Sequence, residues 1–365
     1  MRAVRRRDWF VAGAMGLAGC AAAGLLVARG VLGALLVRSS ACSIAPPGGP
    51  PGPTGPPPDR MRPFPADPGD DCRARADDGA IVVGSWFRAP RILDLAISSP
   101  VLEEMGRVRL LLPKGWSPTA TRTWPALWLL HGGPPAAGGP AGHTAWTSRT
   151  GVERLTRELD VLVVMPDGGR CGDHADWWNH GAGGAPRWET FHTVELPQIL
   201  ERGYRAGPAR AVAGVSTGGR AALAYAARHR GLFRAAASFS GPLDLLHPDP
   251  AALDGADLVR LAAQTARRGV DWRRIWGDPV AQRSIWRRNN PYDLAGRLAG
   301  VRLYLSAGDD GPVEALARRS TARLADKLKK LGIPATVHLY EGPSSWRRWE
   351  RELRAALPLL LADLR

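Results

Sequence analysis

From about residue 90 to the C-terminus, short apolar runs alternate with longer amphipathic ones. Residues 125–130 (PALWLL) and 161–165 (VLVVM) are continuous apolar runs of strand length, the pattern of strands covered on both faces. Residues 91–98 and 107–112 mix apolar and polar positions between turn residues, which suits a sheet edge. Further strands are expected at 210–213, 235–239, 301–306 and 336–340. Between them, residues 150–159, 188–203, 220–229, 313–331 and 346–364 space their apolar side chains near the helical period. This alternation predicts an α/β architecture, a mostly parallel sheet with helices on both faces, which binds ligands beyond the carboxyl ends of its strands.

The first 38 residues follow another pattern and are read as an N-terminal export signal or membrane anchor. Residues 1–8 are basic, with Arg5, Arg6 and Arg7 together, and residues 9–28 run for twenty positions without a charge. Arg6 and Arg7 before Trp9 and Phe10 are similar to a twin-arginine export signal, and Leu17 to Cys20 (LAGC) to a bacterial lipobox. The uncharged run is also long enough to span a bilayer. A retained anchor, an acylated Cys20 and a cleaved signal all fit, and each places the remainder outside the cytoplasm. Residues 39–80 are expected to form a stalk, because the Pro- and Gly-rich stretch 45–70 cannot bury a core and favours extended polyproline conformations. Residues 81–365 are then one folded domain.

Charge and cysteine content change this picture little. The formal charge is +15, but the excess is arginine spread along the chain, without a recognisable nucleic-acid module, so no nucleic-acid partner is expected. Four cysteines, Cys20, Cys42, Cys72 and Cys171, are compatible with an oxidising compartment. A Cys72–Cys171 bond and free thiols both remain open.

Gly214, Val215, Ser216, Thr217 and Gly218 spell GxSxG between the apolar run 210–213 and the alanine-rich run 220–229. A strand turning sharply into a helix strains the serine between them, so its neighbours must be small; Gly214, Gly218 and Gly219 meet that need. The helix that follows aims its N-terminal dipole at the reacting centre. Such a site also needs two donors for an oxyanion. One is the Thr217 amide, and the other comes from the loop after strand 125–130, where Pro134 and Pro135 have no N–H and leave Gly133 or Gly132. A Gly-rich turn without chemistry is the plain alternative for either loop.

These motifs come in order with several others: 129–133 (LLHGG), 163–169 (VVMPDGG), 188–197 (WETFHTVELP), 213–219 (AGVSTGG), 233–241 (FRAAASFSG) and 276–279 (WGDP). Together, over residues 90–362, they resemble the esterase D and mycolyltransferase family. The resemblance implies an α/β-hydrolase fold and a serine esterase or acyltransferase with a Ser, acid, His triad. It places the nucleophile on Ser216, the acid on Glu314 with Asp310 in reserve, and the oxyanion donors on Gly133 and Thr217. No metal or organic cofactor is implied. The implied partners are a small-molecule acyl ester or envelope glycolipid, and a membrane reached through the N-terminal segment.

One position departs from the family. Its histidine lies in a segment close to GTHSW, and the matching residues 342–346 read GPSSW, so Ser344 stands where the base is expected. In template serine hydrolases, loss of this histidine lowers turnover by about a millionfold. A serine hydroxyl cannot accept the proton at neutral pH. His143, His174 and His180, in loops expected at the carboxyl edge of the sheet, are candidates to replace it; His192, His229 and His338 fall on helices or a strand and read as structural. Asp173, His174, Asp176 and His180 have no recognised metal-ligand spacing. Trp177, Trp178 and Trp188 place aromatic surface near the expected mouth, with Trp188 suited to ordinary core use. Two functions follow: an esterase or acyltransferase with a displaced base, and a catalytically impaired relative that binds a lipid or glycan of the envelope.

Overall fold

The apolar runs form the middle of a nine-stranded sheet in the computed structural model, which describes residues 74–133, 142–169, 171–247 and 270–364. All of these belong to the compact unit Pro58–Arg365. The expected export signal or membrane anchor, most of the expected stalk, and Cys20, Cys42 and Cys72 lie outside the described residues. Among the described residues, no helix is long and apolar enough to cross a membrane.

The strands are β1 (Ile81–Ala89), β2 (Ile92–Ser98), β3 (Gly106–Leu111), β4 (Trp124–Leu130), β5 (Leu162–Pro166), β6 (Ala206–Val215), β7 (Ala235–Phe239), β8 (Arg302–Ala307) and β9 (Thr336–Leu339). Their spatial order is β1-β2-β3-β5-β4-β6-β7-β8-β9. The first three pair antiparallel with one another, and β3 pairs antiparallel with β5. From β5 to β9 every pair is parallel. Eight of these strands fall on the expected runs. The sequence pattern misses β1, an edge strand that is half-buried along most of its length and whose apolar run stops at Gly84.

Each central strand feeds two cores, because successive side chains point to opposite faces. Trp128 and Leu130 of β4 join Leu223, Ala227 and Phe233 on one face, where the helices Thr217–Arg228 and Pro312–Lys330 pack. Leu127 and Leu129 join Leu353, Ala356, Leu357 and Leu360 on the other, where the helix Trp346–Leu361 packs. That helix starts where Ser345 accepts a hydrogen bond from the Arg348 amide at 3.2 Å, an N-cap that fixes its entry next to residue 344. Residues 74–80 also pack on the domain, burying Ala76 and Ala80.

Two expected helices differ in form. Residues 150–159 contain only the turn Val152–Leu155, after a separate helix Ala145–Arg149, because Thr150 becomes extended and its hydroxyl bonds back to the Trp146 carbonyl at 2.6 Å. Residues 188–203 are helical throughout but widen into a π turn over Phe191–Glu195. Pro197 sits in the first turn beyond it and has no N–H to return to that widened turn.

The amphipathic match of the last helix to the sheet is testable. Leu353 is fully buried and Arg354 exposed. Leu353→Ala is expected to lower the unfolding free energy by about 2–5 kcal/mol, and Arg354→Ala to change it by less than about 0.5 kcal/mol. Urea titration of both variants measures this; equal losses would mean that the packing assigned to this helix is wrong.

Candidate functional site

Ser216 stands between the last residue of β6 and the first of the helix Thr217–Arg228, with φ 51° and ψ −124°. A non-glycine residue in such a region costs on the order of 1–3 kcal/mol and persists only where its surroundings fix it. Here its amide donates to the Phe239 carbonyl at 2.9 Å, and its carbonyl accepts from Gly219 at 2.9 Å and Arg220 at 3.2 Å. The bend is also too tight for side chains beside it: a Cβ on Gly214 would lie 2.3 Å from the Gly218 carbonyl carbon, and one on Gly218 would lie 2.2 Å from the His131 carbonyl oxygen. Ser216 itself is half-exposed. Among the described residues, its hydroxyl has no hydrogen-bond partner.

The loop after β4 comes directly against this bend. The place a Gly132 Cβ would occupy is 3.2 Å from Ser216 Cβ and 3.8 Å from its Oγ. Thr217 is the first helical residue, so its amide has no intrahelical acceptor. Among the described residues neither the Gly133 nor the Thr217 amide is engaged. The Thr217 amide at a helix N-terminus, with the Gly132–Gly133 loop against the half-buried Ser216, forms an arrangement able to hold negative charge on a carbonyl oxygen.

Behind the Gly132 loop lies a buried histidine cluster. His131 Nδ1 donates to the Gly132 carbonyl at 2.6 Å, and its Nε2 faces Asp167 Oδ1 at 3.3 Å. His174 Nε2 donates to the His131 carbonyl at 2.8 Å, leaving its buried Nδ1 without a partner. His192 Nε2 donates to the Asp167 carbonyl at 2.7 Å, and the Tyr225 hydroxyl sits between His192 Nδ1, at 3.0 Å, and the His174 carbonyl. Burial keeps both of these imidazoles neutral, His174 well below its ordinary value and His192 at about 4. Asp173, beside them, is raised to about 6 by burial, although Ala175 and Trp177 donate to it. Arg220, from the elbow helix, bonds the Asp173 and Asn289 carbonyls and stacks on Trp276, 4.6 Å from its ring centre. Helix side chains thus brace the loop 168–178 that backs the glycines.

The remaining expected residues are placed as follows. Ser344 Oγ donates to Ser240 Oγ at 2.8 Å, and Ser240 also accepts from Trp349 Nε1 at 3.1 Å and lies 3.3 Å from the Tyr340 hydroxyl. Ser240 follows Phe239, the residue that accepts the Ser216 amide, so this network adjoins the elbow. Glu314 lies in the first turn of its helix, and among the described residues no hydrogen bond joins it to the 341–345 loop. Asp310 is exposed. Asp309, which the sequence reading passed over, accepts from the Gly342 amide at 2.9 Å and faces Arg318 at 3.5 Å. Its position at the end of β8, two residues after Ala307, was the available signal.

All eight histidines of the chain fall among the described residues, and none of their hydrogen bonds goes to Ser216. Besides the cluster, His180 faces Asp271 at 3.0 Å, His229 Glu189 at 2.7 Å, His247 Asp244 at 2.8 Å and His338 Glu352 at 2.9 Å. His143 has no polar partner among the described residues; burial lowers its pKa against the opposing pull of Asp167 and Asp94. Asp173, His174, Asp176 and His180, which lack metal-ligand spacing, each have partners of their own, Asp176 holding Thr190 at 2.6 Å. Trp188 is buried in the core, Trp177 in a satellite core with Cys171.

A doubly covered, mostly parallel sheet with a strained serine at the β6–helix bend defines an α/β-hydrolase. The Esterase family model matches residues 99–360, and the chain belongs to that family. It is 31% identical over 258 residues to the esterase Rv1288 of Mycobacterium tuberculosis, covering 66% of this chain and 52% of that protein. It is 30% identical over 258 residues to the diacylglycerol acyltransferase/mycolyltransferase Ag85A of Mycobacterium leprae, covering 64% of this chain and 74% of that protein. The chain therefore spans about half the length of the first curated relatives it matches. Among solved structures, Mycobacterium tuberculosis MPT51 (FbpC1) superposes with a TM-score of 0.62 at 23% identity, over 76% of this chain and 100% of that one. The fluorophosphonate-binding serine hydrolase FphF of Staphylococcus aureus superposes at 0.58 and 17% identity, over 74% and 98%.

The buried cluster sets a pH dependence. His192 titrates near 4 when folded and near 6.5 when unfolded, so its contribution is complete above 6.5 and is lost as pH falls toward 4. Asp173 acts oppositely: raised from 3.8 to about 6, it favours the fold at low pH and loses that contribution as pH rises to 6. The fall in Tm from pH 7 to pH 4.5 is expected to be shallower in His192→Gln and steeper in Asp173→Asn. Thermal unfolding across this range measures both, and parallel profiles for wild type and variants would contradict the assignment.

Proposed function

We propose that this protein is an exported serine esterase or acyltransferase whose Ser216 still accepts an acyl group, slowly, because the family's base histidine is replaced by Ser344. The observation that carries this is the strained, half-exposed Ser216 beside the unengaged Gly133 and Thr217 amides. In the proposed step the ester carbonyl oxygen sits between those amides. Ser216 Oγ bonds to the carbonyl carbon, the alkoxy group leaves, and the serine proton passes to the leaving oxygen through water instead of an imidazole. Water or a sugar hydroxyl then takes the acyl group from Ser216. Glu314 and Asp310 remain the acids proposed from the family pattern, and Asp309 joins them on its contact with Gly342. The names of the relatives, an esterase and an acyltransferase acting on diacylglycerol and mycolyl groups, support an acyl ester or envelope glycolipid as the partner. The uncharged segment of residues 9–28 supports a place outside the cytoplasm, at the membrane.

A second reading, retention of such a lipid or glycan without turnover, is favoured by the Ser344–Ser240–Trp349 network, which occupies the hydroxyl that stands in for the base.

Fluorophosphonate labelling followed by intact-protein mass spectrometry separates the two. The expected result is slow stoichiometric labelling of wild type, none of Ser216→Ala, and a rise of at least about 100-fold in p-nitrophenyl ester hydrolysis in Ser344→His. Folded wild-type protein that never labels would refute the acyl-enzyme and leave retention without turnover. Activity that disappears in His143→Ala would identify that imidazole as the displaced base.

A further inference from the structure

The opposite edge of the sheet holds a cavity that the acyl chemistry does not use. It opens on about 330 Å³ between the connection leading into β7 and the one leading into β8. Arg230 and Arg234 line it from the first connection and Arg297 from the second, around the turns at Gly231 and Gly300, with Phe233 as floor and Asp363 at the rim. Both turns are closed by backbone bonds of 3.0 Å, from Leu232 to His229 and from Val301 to Leu298, so the two connections are ordered. Both lead into the first residues of parallel strands, whereas Ser216 follows the last residue of one.

The charge in this cavity is unbalanced. The Asp363 carboxylate is taken by Arg302, with Nη2 at 2.9 Å from Oδ1 and Nε on Oδ2, and that pairing holds its pKa below the usual carboxylate range. Arg234 donates to the Asp363 main-chain carbonyl at 2.6 Å, and its charge acts on that carboxylate less than the charge of Arg302 does. Among the described residues Arg230 and Arg297 have no acidic partner, and both are exposed. The elbow helix ends nearby at Arg228, and its terminus contributes roughly half a negative charge. Three guanidinium groups outweigh that. Like charges are held together on two short, ordered connections where, among the described lining residues, Asp363 is the one acid and is shared with Arg302, which is the arrangement of a site for an oxyanion with several acceptor oxygens.

We propose that this cavity is a second ligand site, for a phosphate monoester, bound by the guanidinium groups of Arg230, Arg234 and Arg297. A phosphate offers the three acceptor oxygens that planar guanidinium forks bind in pairs, and the cavity leaves room for a small group on the ester oxygen. The ligand is the headgroup of a phospholipid or a free phosphate ester, two sources with the same chemistry. This site is independent of the Ser216 reading.

The test uses the full chain, wild type and the double variant Arg230→Gln, Arg297→Gln, with glycerol 3-phosphate in calorimetry and with phosphatidylcholine vesicles with and without phosphatidic acid in co-sedimentation. Wild type is expected to bind one or both phosphate-bearing probes, at least tenfold more tightly than the double variant, with affinity falling as salt rises. Binding of glycerol 3-phosphate assigns a free ester, and a wild-type excess confined to phosphatidic acid vesicles assigns a headgroup. Ser216 labelling by fluorophosphonate and the Tm should match in the two proteins, since neither arginine contacts the elbow. Absence of binding by wild type to either probe, or equal binding by wild type and the double variant, would overturn the proposal.

Discussion

The site depends on one backbone constraint, the left-handed turn at Ser216. A strand that ends at Val215 and a helix that begins at Thr217 leave a single residue to reverse the chain, and this forces φ to 51°. Three things follow from that geometry together. The hydroxyl is lifted out of the sheet edge, the Thr217 amide is left at a helix start without an acceptor, and the β4 loop is drawn so close that Gly218 meets the His131 carbonyl. The strain is offset by the doubly buried sheet on either side, where β6 lies between β4 and β7. On the proposed reading, nucleophile and oxyanion donors are thus consequences of one bend.

The position proposed for the base, residue 344, does not depend on that bend. It sits on a different loop, after β9, positioned by the start of the last helix. Ser345 caps that helix and Trp346 and Trp349 pack beside Trp146, with Trp346 5.4 Å from the Trp146 ring and 5.2 Å from that of Trp349. Residue 344 is therefore held by the packing of its neighbours as well as by its own hydroxyl on Ser240. The Ser344 hydroxyl meets its hydrogen-bonding need on Ser240.

What was legible in the sequence follows the same division. Buried parallel strands read clearly because both faces are covered and the run is continuously apolar, as in β4 and β5. β1 did not, since an edge strand is defined by its partner more than by its own pattern. The elbow and its glycines were readable because a tight bend restricts residue type. Contacts that unite distant loops were not: Asp309 with Gly342 and Ser240 with Ser344 are separated by 33 and 104 residues, and nothing local marks either pair. The helix 188–203 was read correctly as an amphipathic run, but its π turn depends on one proline within an otherwise regular period.

The histidines show how tertiary context decides chemistry. A loop imidazole near a carboxyl edge looks like a candidate base, yet His174 is committed to the His131 carbonyl in a wholly buried cluster, and burial makes its charged form costly. A general base must gain a proton during attack, and that gain is what this cluster resists. Its hydrogen bonds instead hold the main chain at His131 and, through it, the glycine loop beside Ser216. On the proposed reading, the buried imidazoles therefore fix the position of the donors, and the half of the machinery that stabilises charge is built independently of the half that would move the proton.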